Sequence, residues 1–223
     1  MALDLLEQTK RKEDAFLIIP QRKAGASPKL AINWNDGKGF FDNFVGAINL
    51  GVWTKSTSGD AEIFTSNRVL TVKSEGNGDS ATITQKFSGT QSNDGDMTVK
   101  GRFKKSEEGT APVIKIGFIK STNAAAWSSI AGTVNKEMVP HVRLGANTTN
   151  GSAVSVPSGT WHDFKIIVRT NEADFYLNGT LVETLTSNVP DTTALSAGVE
   201  TSGTNADDKA QIDVGFLWGV HGS

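Results

Sequence analysis

The chain has 223 residues, no cysteine and a formal net charge of −2. Without cysteine there is no disulfide framework, thiolate zinc site or cysteine nucleophile, and a near-neutral balance leaves no footprint for nucleic acid or an anionic membrane. The length suits one large β-domain plus an appendage.

Residues 1–33 differ from the rest. Leu3, Leu5, Leu6 and Phe16 are apolar points in a charged opening that includes Lys10-Arg11-Lys12. A short helix over Leu3–Ala15 fits this pattern but is marginal at that length. Pro20 and Pro28 then break the chain into an extended run and a loop. The segment reads as an arm that gains order on a partner, or as a first strand and linker packed on the same domain. It carries acidic residues early and lacks an apolar core, so it does not read as a secretory signal. No stretch reaches the roughly 20 apolar residues of a membrane span.

From Trp34 onward the pattern is β-like, giving a second unit over residues 34–223. Ala61–Thr65 and Arg68–Lys73 are candidate strands. Ala81, Ile83, Gln85 and Phe87 alternate with Thr82, Thr84 and Lys86, and Met97, Val99, Gly101 and Phe103 alternate with Thr98, Lys100 and Arg102. In Val113–Ile119, Ile114, Ile116 and Phe118 share one face. Asn123–Ile130 is alanine-rich and reads as a loop or single turn. Trp161–Arg169 and Ala173–Glu183 follow, the latter holding Asn178-Gly179. An Asn-Gly pair between strands marks a tight hairpin, because both residues must take positive φ. Ala194–Glu200 and Gln211–Val220 close the chain. Turn signals at Glu75–Asp79, Asn93–Asp96 and Glu107–Gly109 separate the runs. About a dozen short strands without βα alternation predict an all-β, antiparallel two-sheet sandwich or jelly roll. One core is expected to include Trp161, Phe164, Ile166, Val168, Phe175, Leu177 and Phe216, with Trp53 and Trp218 also inside.

The order Phe41-Asp42-Asn43-Phe44, then Trp53, then Gly159-Thr160-Trp161-His162-Asp163-Phe164-Lys165-Ile166, then Phe175-Tyr176-Leu177-Asn178-Gly179 and a closing strand resembles the concanavalin A-like lectin/glucanase superfamily, including laminin-G-like modules. The resemblance implies a concanavalin-like sandwich whose last strand returns beside the N-terminal one. A β-sandwich behind a charged arm and without cysteine or signal also resembles virion proteins of tailed bacteriophages: capsid decoration, head-fibre or tail-fibre proteins.

Part of that superfamily cleaves β-glucans, which takes two carboxylates about 5–5.5 Å apart for retention. A Glu-x-Asp-x-Glu strand run is absent, and Glu107-Glu108, Asp207-Asp208 and Glu172-x-Asp174 are the nearest clusters. No Gly-x-Ser-x-Gly accompanies His141, His162 and His221, which read as solvent-facing or edge residues. The resemblance allows calcium, with Asp36, Asp207 and Asp208 as oxygen donors. Trp127 and Trp34, in loop-like surroundings, are candidates for stacking on sugars.

The expectation is a non-catalytic structural or binding protein, not an enzyme, with no cofactor unless calcium binds. It would be a virion component, made in the host cytoplasm and homo-oligomeric. Leu3, Leu5, Leu6, Phe16, Lys10, Arg11 and Lys12 would dock on shell or tail proteins, and cell-surface glycans would be a further partner; neither nucleic acid nor membrane is expected. A carbohydrate-binding module or lectin is the alternative, and a glycan hydrolase the third reading.

Overall fold

The computed structural model describes residues 31–33, 39–48, 50–85, 95–120, 122–129 and 137–221. Leu3, Leu5, Leu6, Lys10, Arg11, Lys12, Phe16, Trp34 and Asp36, with the expected first helix, lie outside the described residues. Among the described residues every regular element is a strand, and no helix is long and apolar enough to cross a membrane.

In chain order β1 is Ala31–Asn33, β2 Gly39–Asp42, β3 Trp53–Ser58, β4 Glu62–Ser66, β5 Val69–Ser74 and β6 Ser80–Gln85. Then come β7 (Met97–Glu108), β8 (Val113–Lys120), β9 (Asn123–Ser129), β10 (Glu137–Leu144), β11 (Asn147–Asn150) and β12 (Val154–Ser155). The last five are β13 (His162–Arg169), β14 (Glu172–Leu177), β15 (Thr180–Leu185), β16 (Ala197–Ser202) and β17 (Lys209–His221).

They form two antiparallel sheets. A nine-stranded sheet runs β1-β2-β17-β7-β13-β14-β15, with β5 also on β17 and β4 on β5. An eight-stranded sheet runs β11-β10-β9-β8-β16-β6-β3, with β12 on β10. The all-β sandwich is as expected, and β17 does return beside β2. Because β1 pairs with β2, the sheet begins within the last three residues of the segment read as an arm.

The two-residue period sets the core. Ala81 and Ile83 of β6, Ile114, Ile116 and Phe118 of β8, and Phe164, Ile166 and Val168 of β13 all point inward and are buried. On β7 the inward set Met97, Val99 and Phe103 continues into Lys105 and Glu107. Those two charges are therefore buried together, paired at 2.5 Å. Asn178 (φ 49) and Gly179 (φ 81) make the predicted hairpin turn between β14 and β15. The Asn178 side chain also accepts from the Asp163 N–H at 3.0 Å, tying the turn to β13. At the other end Asp42 joins the opening motif to Trp53, accepting from the Phe44 N–H and the Trp53 indole N–H, both at 2.7 Å.

Three expectations need correction. Asn123–Ser129 is not a loop but β9, a central strand between β8 and β10. Its alanines fill the crowded middle of the sheet, and that context overrides their helical preference. Phe216 and Trp218 are half-buried on the outer face of the nine-stranded sheet rather than in the core. The cause is a bulge in β17 between Val214 and Phe216. Before it Ile212 and Val214 face inward; after it Leu217 does. One extra residue exchanges the two faces. Trp161 is also half-buried, one residue out of phase with inward His162 and Phe164, with Lys104 5.3 Å from its ring centre.

Candidate functional site

Neighbouring strands in register bring side chains of one parity into rows across a sheet. On the outer face of the eight-stranded sheet the first row is Ser56–Thr82–Glu200–Lys115–Ser128–Val139. The second is Thr54–Thr84–Gly198–Gly117–Ala126–His141–Asn150. The third contains Ile119–Ala124–Arg143–Thr148. These rows floor a groove of about 780 Å³, within the roughly 300–1,000 Å³ usual for ligand clefts.

The groove is low at its middle because β16 carries Gly198 there, where an added Cβ would lie 2.5 Å from the Ile83 carbonyl oxygen. A Cβ on Gly117 would turn to the core side instead, 2.6 Å from the Ile166 side chain of the opposite sheet. Gly117 also has φ +146, a conformation that excludes most side chains. The flanks are rich in hydroxyls: Ser56, Thr82, Thr84, Ser128 and Thr148 all line the groove, with the amide of Asn150.

Glu200 and Lys115 meet across adjacent strands at 2.6 Å, each about a quarter exposed. A pair this open is worth no more than about 1 kcal/mol. It contributes little to holding the sheet, and both partners can exchange toward a ligand. His141 is 7% exposed, and its Nδ1 has no hydrogen-bond partner. Burial pushes its imidazole down to about 4, and the Lys115 and Arg143 charges push the same way. His141 is therefore neutral at pH 7, with one nitrogen able to donate and the other to accept. Arg143 donates from Nε to the Gly145 carbonyl at 3.0 Å.

The residues singled out from sequence fall elsewhere. Trp127 is fully buried, edge-on to Phe175 with ring centres 5.8 Å apart, so it cannot stack on a sugar. Its expected loop is β9, and its parity matches inward Ala125. His141 and His162 are buried rather than solvent-facing. His162 shares the inward face with Phe164 and lies 5.9 Å from the Phe103 ring.

Asp208 does not fit calcium. Its Oδ1 accepts from the N–H groups of Thr110 and Ala111, and its Oδ2 from the N–H groups of Thr204 and Asn205 and from both their side chains. Burial alone would raise its carboxyl, but these donors outweigh burial and hold it well below the usual carboxylate range. A carboxylate surrounded by donors is an acceptor already used, not an open cation ligand. Asp207 is exposed, and among the described residues no group of three His, Cys, Asp or Glu could hold a metal ion.

The opposite sheet offers a competing surface. Its outer row is Phe41–Trp218–Lys100–Lys165–Tyr176–Leu181. Here Lys100 lies 4.4 Å from the Trp218 ring centre and Lys165 lies 3.8 Å from that of Tyr176. Each ring already carries an ammonium over its face, where a sugar would have to stack.

Sequence reasoning missed the groove. Its signal was the outward half of each alternation, Thr82 and Thr84, Lys115, and Glu200, whose convergence needs the strand order.

No family model matches the sequence, and no curated protein does. Solved structures do match in shape. An apo Crh5 transglycosylase is similar with a TM-score of 0.65 at 15% identity, covering 91% of this chain and 89% of that one. A β-glucanase of Bacillus licheniformis has a TM-score of 0.62 at 11% identity, covering 84% of this chain and 99% of that one. A sialidase has a TM-score of 0.62 at 12% identity over 82% of this chain, which spans only 18% of the sialidase. None of the three is named as a virion protein. They overturn the expectation that the chain is not an enzyme, because a transglycosylase and a β-glucanase are built on this sandwich. At such identities the likeness shows the fold alone: the chain is a concanavalin-like jelly roll.

Proposed function

We propose that the chain is a glycan-binding jelly roll whose ligand lies in the groove of the eight-stranded sheet. The observation that carries this reading is the groove itself, about 780 Å³ and lined by hydroxyl and amide side chains around a Lys–Glu pair. Sugar hydroxyls both donate and accept, and so do Ser, Thr, Asn and a neutral imidazole. The fold is shared with proteins named as a transglycosylase and a β-glucanase, which supports a saccharide over other ligands of this size. Among the described residues lining the groove the carboxyl group is that of Glu200, so proton transfer to a bound glycosidic oxygen would fall to Glu200.

Affinity electrophoresis of the full chain through a panel of polysaccharides tests this reading. At least one should retard the wild type, and Ser128→Trp, which fills the floor beside Lys115, should migrate freely. Retardation by none, or equal retardation of the variant, contradicts it. Incubation with the retained polysaccharide then separates two forms of the reading. Release of reducing ends that is lost in Glu200→Gln marks a hydrolase; retention without release marks a binding module.

The setting on a bacteriophage particle is a further part of the proposal, supported only by the charged segment with Lys10-Arg11-Lys12 and few apolar residues. Deleting residues 1–30 should leave the sandwich folded and able to bind, but unable to join a particle. Normal incorporation of the truncated chain sinks this part.

A further inference from the structure

The charges in the groove discriminate among glycans; this step rests on the groove being the glycan site. Four fully charged side chains line it: Lys115, Lys120, Arg143 and Glu200. Glu200 is engaged by Lys115. Arg143 has only the neutral Gly145 carbonyl, and among the described residues no acid pairs with Arg143 or Lys120. Two cationic heads thus remain without a counter-charge at one end of the cleft, on the strands that frame Ile119 and Ala124. Low-dielectric walls focus that positive potential into the cleft.

A second feature points the same way. His141 stands next but one to Arg143 on β10 and is more than nine-tenths buried, with Nδ1 unpartnered. A buried polar nitrogen without a partner costs free energy unless something completes it. It lies in the floor where a chain held by Arg143 would pass. A neutral donor beside two cations suits a ligand with both hydroxyls and an anion. Arg is the side chain best matched to planar or tetrahedral oxyanions, through paired N–H groups.

We infer that the groove selects acidic saccharides, seating a carboxylate or sulfate group of the chain against Arg143 and Lys120 while the hydroxyl-lined half holds the neighbouring sugar units. Both anions present the same chemistry to a guanidinium, so the test carries one probe of each.

Titration calorimetry of the full chain with oligogalacturonate, sulfated dextran oligosaccharide and a neutral β-glucan oligosaccharide reads this directly. An acidic probe should bind about tenfold or more tighter than the neutral one at low salt and lose that advantage as salt is raised. Preference for one acidic probe over the other names the anion. Arg143→Gln should weaken the acidic probe about tenfold more than it weakens the neutral one, while Arg143→Lys keeps most of the affinity. Lys120→Gln, at an exposed position, should act in the same direction and tests the idea even if Arg143 variants fold poorly. Equal binding of acidic and neutral probes, lost in Ser128→Trp but unmoved by Arg143→Gln and Lys120→Gln, overturns the charge selection and leaves the groove reading intact. Acidic binding that survives Ser128→Trp and falls in Lys165→Gln places the anion on the opposite sheet and overturns both. Absence of binding by all three probes contradicts this selection; a neutral polysaccharide still retained in the gels would then leave the groove reading alone standing.

Discussion

His141 carries a pH signature that other described residues do not share. Its folded value of about 4 lies below the ordinary 6.5, because burial and two nearby cations oppose the imidazolium. The unfolded chain therefore takes up a proton that the folded chain refuses. This contribution is intact above pH 6.5 and is lost as pH falls toward 4, for a total of about 3 kcal/mol. Urea unfolding at pH 7 and pH 4 should show the wild type losing about 2–3 kcal/mol more than His141→Gln. Parallel losses would mean the imidazole is solvated. Asp208 has the same sign in a more acidic window. Its carboxyl is depressed, so its stabilisation is present at neutral pH and fades only on acidification below the carboxylate range. Asp208→Ala strands the N–H groups of Thr110, Ala111, Thr204 and Asn205 and should cost at least about 3 kcal/mol by chemical denaturation. A cost below about 1 kcal/mol would show that water replaces it. Neither role was legible beforehand. The sequence shows a histidine and an acidic turn, but burial and hydrogen-bond partners come from strands far apart in the chain.

At the scale of elements, local patterns were read well and their interruptions were not. The alternation over β6, β7, β8 and β13 and the Asn178-Gly179 turn identify strands and faces because the period is a property of each strand alone. The β17 bulge breaks that rule. Gly215 is the extra residue: it occupies a place in the chain without a partner on β7, so the inward positions change from even numbers to odd after it. Deleting Gly215 should therefore leave a regular ladder with Leu217 still inward and Phe216 and Trp218 still outward. The expected cost is no more than about 1 kcal/mol, with a cooperative melt retained. Loss of the cooperative melt would show that the bulge itself is needed. β9 failed for a different reason. Three consecutive alanines favour a helix in isolation, and only the cramped middle of the sheet selects them for a strand.

At the scale of the molecule, the sandwich was legible and its site was not. Strand content and turn chemistry determine an antiparallel jelly roll, but a groove exists only once β3, β6, β16, β8, β9, β10 and β11 lie side by side, an order that no local pattern encodes. That order explains why Trp127, the aromatic that looked most like a sugar platform, is core, while serines, threonines and a Lys–Glu pair form the cleft. It also leaves two rival faces: the hydroxyl-lined groove and the cation-capped aromatic row of the opposite sheet. Backbone amide chemical shifts, followed while the retained oligosaccharide is titrated into the full chain, decide between them. The account predicts that the largest changes fall at Thr82, Lys115, Ser128, His141, Arg143 and Glu200. Changes confined to Lys100, Lys165, Tyr176 and Trp218 would contradict it.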